Sequence, residues 1–174
     1  MKLKLDLHTH CHEATSHLPP TPEIVASLVA RIKAQGLDGI AITEHWDYDY
    51  GFKVKEMVEK LFPNQVLIIP GREIDGGMGE EVVELYLPNN SLFRFWAHPT
   101  YYGDEVHKIG EIQGVEIENA LHNGHIRTER IIELALRHNL LPLRNSDAHY
   151  FDRIGLFYNE VELEELYARA LPLG

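Results

Sequence analysis

Five short segments end in residue types that hold metal ions: Asp6-Leu7-His8-Thr9-His10, Glu44-His45, Gly71-Arg72-Glu73, His98-Pro99 and Asp147-Ala148-His149. Four of the five come straight after an apolar, strand-like run. Side chains on a strand alternate between its faces, so His8 and His10 point the same way and can grip one ion. Asp147 and His149 repeat that spacing near the other end of the chain. Imidazole and carboxylate donors together suit zinc, manganese or iron better than calcium or magnesium. The chemistry to look for is that of a metal cluster.

The elements that must position these residues are legible in the pattern. Leu3 to His8 reads as a first strand. Thr21-Pro22-Glu23 opens a helix, with Thr21 as N-cap and Pro22 in its first turn. Ile24, Val25, Leu28, Val29 and Ile32 follow at helical spacing, and Gly36 ends the helix. Leu37 to Thr43 is a second strand that delivers Glu44 and His45. Phe52 to Phe62 is a second helix. Val66-Leu67-Ile68-Ile69 reads as a strand buried on both faces and delivers Glu73. Val82 to Leu87 and Leu92 to Ala97 are separated only by Pro88-Asn89-Asn90-Ser91, too short for a crossover helix, so the pair is antiparallel or sharply bent. Gly114 to Ile117, a helix from Ile126 to His138, the strand Leu140 to Arg144 and a short helix from Glu162 to Ala170 complete the chain. Strands alternating with helices, with functional residues at strand C-terminal ends, mark the mouth of a β/α barrel. About seven strands fit, so a small, distorted α/β barrel with trimmed connections is expected.

At 174 residues the length is that of one domain, 1–174, able to bury about 70% of its unfolded surface. No apolar run approaches the ~18 residues of a membrane span, and the N-terminal residues alternate like a strand rather than forming a signal-peptide core. Cys11 is the only cysteine, which excludes an intrachain disulfide and fits a cytoplasmic location. The formal charge is −11 with neutral histidines; three bound divalent ions would bring it to about −5. The arginines are scattered and form no basic stripe, which speaks against a nucleic-acid duplex as substrate and for a small anion held mainly by metals.

With these segments in view, the chain resembles the polymerase and histidinol phosphatase (PHP) superfamily. The segments that carry the likeness are Asp6-Leu7-His8-Thr9-His10, Thr21-Pro22-Glu23, Ile42-Thr43-Glu44-His45, Gly71-Arg72-Glu73-Ile74, Ala97-His98-Pro99 and Asn145-Ser146-Asp147-Ala148-His149, in order over nearly the whole chain. The resemblance implies a distorted (β/α)7 barrel that hydrolyses phosphate esters with two or three divalent transition metals (Zn, Mn or Fe). His8, His10, Glu73 and Asp147 would bind the first metal. Glu73 would bridge to a second, held also by His98, and His17, His45 and His149 would hold a third. Glu73, Asp147 and His149 would carry the catalysis. Two departures stand out. The second-metal histidine common on the strand after the Gly-x-Glu motif is missing, leaving Glu81, Glu84, Glu118 or water to replace it. Glu44 also stands where the family often has Asp, and reads as a surface or outer position.

Other residues have duller readings. His12 competes with His17, although a solvated loop histidine is the simpler role. Cys11 reads as a small buried residue rather than a ligand. His107, His122, His125 and His138 read as surface or helix positions, with His122 and His125 near enough to the Glu118 strand to line the mouth. Arg72 and Arg144 read as ion-pair partners of carboxylates. The aromatic loops Trp46 to Gly51 and Thr100-Tyr101-Tyr102-Gly103 read equally as walls of the mouth or as covers for the barrel. The expected reaction is hydrolysis of a small phosphate monoester by a hydroxide shared between metals ~3.5–4 Å apart, with no side-chain nucleophile. A phosphodiesterase or 3′–5′ exonuclease, a phosphotyrosine phosphatase and a non-catalytic metal-binding module are the alternatives. A C–N hydrolase ranks last, because no lysine follows a mid-chain strand.

Overall fold

Seven strands follow one another around a barrel in the order in which they occur along the chain. The structure, a computed structural model, describes residues 1–100 and 110–173. The strands are β1 (Leu3–Asp6), β2 (Gly39–Ile42), β3 (Leu67–Gly77), β4 (Glu80–Tyr86), β5 (Ser91–Ala97), β6 (Gly114–Asn119) and β7 (Leu141–Asn145). Two short ones are added, β8 (Asn159–Val161) antiparallel to β1 and β9 (Leu171–Pro172) antiparallel to β5. The expected α/β barrel is therefore present, but strict alternation is not. Strands β3, β4 and β5 form an antiparallel meander, whereas β1–β2–β3 and β5–β6–β7 run parallel. The short gap after Leu87 could only make a hairpin.

Three apolar clusters explain the sequence pattern. Helices α2 (Pro22–Ala34) and α3 (Tyr50–Leu61) pack on β2 and β3 through Val25, Leu28, Ile32, Val54, Val58, Ile40, Ile42 and Ile68. Ala41 and Ile69 point the other way, into the barrel interior with Leu5, Leu7, Val83, Phe93 and Phe95. Strands β2 and β3 thus bury both faces, which is why they read as unbroken apolar runs. Helix α5 (Leu163–Arg169) plugs the end of that interior with Leu166. Helix α4 (Thr128–Arg137) covers Val82, Trp96, Val115 and Ile117. Thr21 caps α2, its hydroxyl accepting from the Ile24 amide at 3.4 Å, and Gly36 leaves the helix at φ +68°.

Closure of the barrel uses a side chain in place of a strand partner. Asn159 Oδ1 accepts from the Arg144 amide at 2.8 Å and its Nδ2 donates to the Arg144 carbonyl at 2.9 Å, tying β8 to β7. A cavity of about 590 Å³ opens along this seam; of the candidate ligands only Glu118 lines it. At the mouth the join is tighter: Thr9 pairs with Ala148, and the Asp147 and His10 amides donate at 2.9 Å to His8 and Ala148. No helix among the described residues is long and apolar enough to cross a membrane.

Candidate metal centre

Strand β1 stops at Asp6, so His8 and His10 lie just beyond it, held by bonds from neighbouring strand ends rather than by a regular ladder. The Thr9 hydroxyl donates to the Ala41 carbonyl at 2.6 Å, and the Thr43 amide donates to the Thr9 carbonyl at 2.8 Å. Asp6, fully buried, accepts from the amides of Ser146 and Gly155 at 3.1 and 3.0 Å and from the Ser146 hydroxyl, fastening β1 to the Asp147 segment. Burial pushes its carboxyl up to about 6 despite these donors. Gly71 permits the sheet to close here, because a Cβ would meet the Glu84 carbonyl at 2.5 Å.

Four predicted ligands converge. His8 and His10, both without solvent exposure, bring their Nε2 atoms to 3.2 Å from one another and each to 3.2 Å from Glu73 Oε2. Asp147 Oδ1 lies 3.5 Å from His8 Nε2 and 3.2 Å from His10 Nε2, and it is buried without a hydrogen-bond partner. A tetrahedral ion with bonds of ~2.0–2.2 Å holds its ligands about 3.4 Å apart. The observed edges match that spacing, and an orphaned buried carboxylate oxygen facing two imidazoles has its natural partner in a cation. The residues fit the group.

Glu73 and Asp147 each divide their oxygens between two positions. Glu73 Oε1 faces His98 Nε2 at 3.0 Å, and Asp147 Oδ2 faces His122 Nε2 at 3.5 Å. Glu81 Oε2 lies 3.4 Å from His98 Nε2. The histidine missing from the strand after Gly-x-Glu is thus answered by Glu81 from β4 and by His122 from the loop after β6. Of the other stand-ins, Glu84 pairs with Arg72 and Arg94, and Glu118 pairs with Arg144. His98 and Asp147 both hold left-handed backbones, φ +25° and +52°, a strain of the kind that gathers at functional positions.

A third set comprises His10, Glu13, His45 and His149. His45 and His149 stack on His10 with ring centroids at 4.3 and 4.2 Å. His17, expected in this set, is placed outside it. The chain turns at Ser16 and His17 with φ near +60°, right after α1 (Cys11–Ala14), leaving His17 exposed with its ring against His12. His12 stacks on Tyr50 and joins no ligand group either. Glu13, on α1 itself, takes the place in space. Cys11 is buried, its Sγ 3.3 Å from Thr9 Oγ1, and burial pushes its thiol far up. Glu44 is buried, accepts from the His12 amide at 2.7 Å, and is raised by burial to about 7. Trp46 stands almost fully exposed beside His45, while Tyr101, Tyr102 and His107 lie outside the described residues.

The charges are coupled. Burial alone would raise Glu73, but His8, His10 and His98 hold it well below the usual carboxylate range. Burial likewise opposes the charged forms of His8 and His10, yet Asp147 and Glu73 outweigh it, raising His8 well above its ordinary value and His10 to about 9. In a metal-free chain protons therefore take the place of cations. His45 and His122 move the other way, lowered by burial and by the neighbouring histidines.

Sequence reasoning passed over one residue beneath the cluster. Glu116, fully buried on β6, accepts from His8 Nδ1, the His98 amide, Asn119 Nδ2 and Asn145 Nδ2 at 2.7–2.9 Å. The signal was the alternation Val115-Glu116-Ile117-Glu118, which puts both carboxylates on the face opposite Val115 and Ile117.

Comparison with solved structures finds chains of the same architecture. A provisionally named metal-dependent phosphoesterase from Bifidobacterium adolescentis superposes with a TM-score of 0.70 at 14% identity, covering 97% of both chains. PsfC from Pseudomonas syringae gives 0.67 at 15% identity, over 98% of this chain and 89% of that one. These chains share the mixed α/β barrel fold. An amidohydrolase from Chromobacterium violaceum, solved with sulfate and no metal, gives 0.65 at 14% identity over 97% of both chains. Neither a family model nor a curated protein matches the sequence.

Proposed function

We propose that this chain is a metal-dependent phosphoesterase that hydrolyses a small phosphate monoester with two or three divalent ions, zinc, manganese or iron. The observation that carries the reading is the splitting of Glu73 and Asp147 between neighbouring ligand sets, which supports two adjacent cation positions. Ions bound there supply an activated water and neutralise charge on a phosphoryl group. The chain's own residues do the rest. His8 and His10 seal the floor against solvent, and Glu73 and Asp147 stay ionised where an uncompensated carboxylate would be costly.

Two cavities flank the cluster. One of about 220 Å³ is lined by Glu80, Glu81, His98 and His122, and its carboxylates repel an anion. The other, about 200 Å³, is lined by Ser146, Asp147, His149, Tyr150 and Arg153. The Arg153 guanidinium has no ion-pair partner among the described residues, so the phosphate ester enters on this side. The size suits a small monoester rather than a polymer, in keeping with the absence of a basic stripe. The sulfate held by the Chromobacterium amidohydrolase is a tetrahedral dianion of the same shape as phosphate.

Protein loaded with zinc or manganese should release phosphate from members of a broad monoester panel and from p-nitrophenyl phosphate. Inactivity across the whole panel with every metal overturns the reading. Arg153→Ala should raise KM several-fold and leave kcat within about twofold, as expected for lost ground-state binding.

A further inference from the structure

The buried carboxylate below the cluster, Glu116, lines neither of the two cavities that flank it, and both its oxygens are taken up by four hydrogen bonds from the protein. We infer that Glu116 is a positioning residue: it fixes which nitrogen of His8 is offered to the metal, and with the same side chain it pins the backbone of His98. The inference rests on the metal-holding part of the reading above, not on phosphate ester hydrolysis.

The argument is one of donors and acceptors. An ionised carboxylate only accepts hydrogen bonds. Glu116 Oε1 lies 2.9 Å from His8 Nδ1, so Nδ1 must carry a hydrogen and Nε2 of the neutral ring must carry the lone pair. That Nε2 is the atom aimed at Glu73 Oε2, His10 Nε2 and Asp147 Oδ1. Oε1 also accepts from Asn145 Nδ2 at 2.7 Å. Oε2 accepts from the His98 amide at 2.7 Å and from Asn119 Nδ2 at 2.9 Å. Asn119 Nδ2 reaches Asp147 Oδ2 as well, at 3.1 Å. One carboxylate therefore holds a ligand ring on one side and the strained His98 backbone on the other.

Glu116→Gln separates this role from simple filling of space. The glutamine amide must turn its NH2 toward one of the two sides. The His98 amide and the Asn119 and Asn145 side-chain donors as placed cannot become acceptors there. His8 can, by moving its hydrogen from Nδ1 to Nε2. The NH2 group therefore settles on the His8 side, and the Nε2 lone pair is lost to the metal.

Two measurements test this on the full chain. In a competition titration with a chromophoric chelator, the first zinc equivalent should bind about 10–100-fold more weakly to Glu116→Gln than to the wild type, the range typical of outer-shell partners. In nitrogen-15 spectra of histidine-labelled protein without metal at high pH, His8 should carry its hydrogen on Nδ1 in the wild type and on Nε2 in the variant. Should Glu116→Gln not fold, the pair Glu116→Gln with Asn145→Asp restores one acceptor facing one donor, and the same two shifts are expected. An unchanged zinc affinity, or His8 hydrogen still on Nδ1 in the variant, overturns the inference. A wild type that binds zinc yet hydrolyses no ester overturns the proposed function alone.

Discussion

His8, His10, Glu73 and Asp147 are closed off from solvent and fastened by backbone bonds between the ends of β1 and β7, whereas Glu13, Glu81, His122 and His149 stand at the rim, each partly open. The inner set is built by the barrel itself. The outer sets add Glu13 from α1, Glu81 from the start of β4 and His122 from the loop after β6, all at the edge of the mouth. A preorganised inner position costs little on binding, since its ligands are already at coordination spacing, and the outer positions must be completed by side-chain movement. Affinity should therefore fall from the inner set outward.

The largest effect is expected inside. Asp147→Asn or His8→Ala should remove the first metal equivalent and abolish turnover, a loss beyond the ~10–100-fold typical of outer-shell changes, read by metal analysis and by ester hydrolysis. Retained activity in either variant breaks the distinction between inner and outer sets. A smaller loss follows from His122→Ala, which should weaken the second equivalent about tenfold or more on the same scale and leave the first intact in a zinc titration. Simultaneous loss of both would show that the sets are not separable.

Acidity sharpens the same contrast. His10 in the folded, metal-free chain is raised from 6.5 to about 9. A raised histidine contributes stability that is fully present below pH 6.5 and is lost as the pH rises through about 9. Glu44, raised from 4.5 to about 7, acts in the same direction over a lower range. With chelator present, the melting temperature should fall between pH 6.5 and 9.5. Metal binding requires deprotonated imidazole, so the gap between loaded and stripped protein should widen over that interval. A flat melting profile in chelator would count against the inner charge balance. The smallest effect belongs to His17→Ala, expected to leave metal content unchanged and stability within ~0.5 kcal/mol, as for an ordinary surface position; loss of a metal equivalent would return His17 to the third set.

Period-two spacing after an apolar run made the pairs His8/His10 and Asp147/His149 legible and a strand end singled out Glu73, whereas grouping His8, His10, Glu73 and Asp147 around one ion came from the family resemblance. The rim was hidden for the opposite reason. His122 sits in a loop whose direction depends on how β6 ends, and no periodicity points it at Asp147. Glu81 entered only as one of several acids, because the reach of β4 over the mouth depends on β3 continuing past Glu73 to Gly77. The apolar run Val66 to Ile69 announces only the first half of that strand. Glu116 and Glu118 share one phase of the strand, so the pattern treats them alike. A register shift between them turns Glu118 out to Arg144, which the sequence of β6 does not declare. His17 lies apart from the third set because of two left-handed residues after α1, which are invisible to spacing arguments.

The single thiol of the chain, Cys11, has a chemical consequence of its own. One residue past His10, it is turned into the packing between α2 and the barrel wall and kept as an uncharged thiol. Copper(I) and cadmium, which seek thiolates, find only nitrogen and oxygen at this mouth. Thiol-directed oxidants and alkylating reagents should therefore spare the ligand set of this mouth.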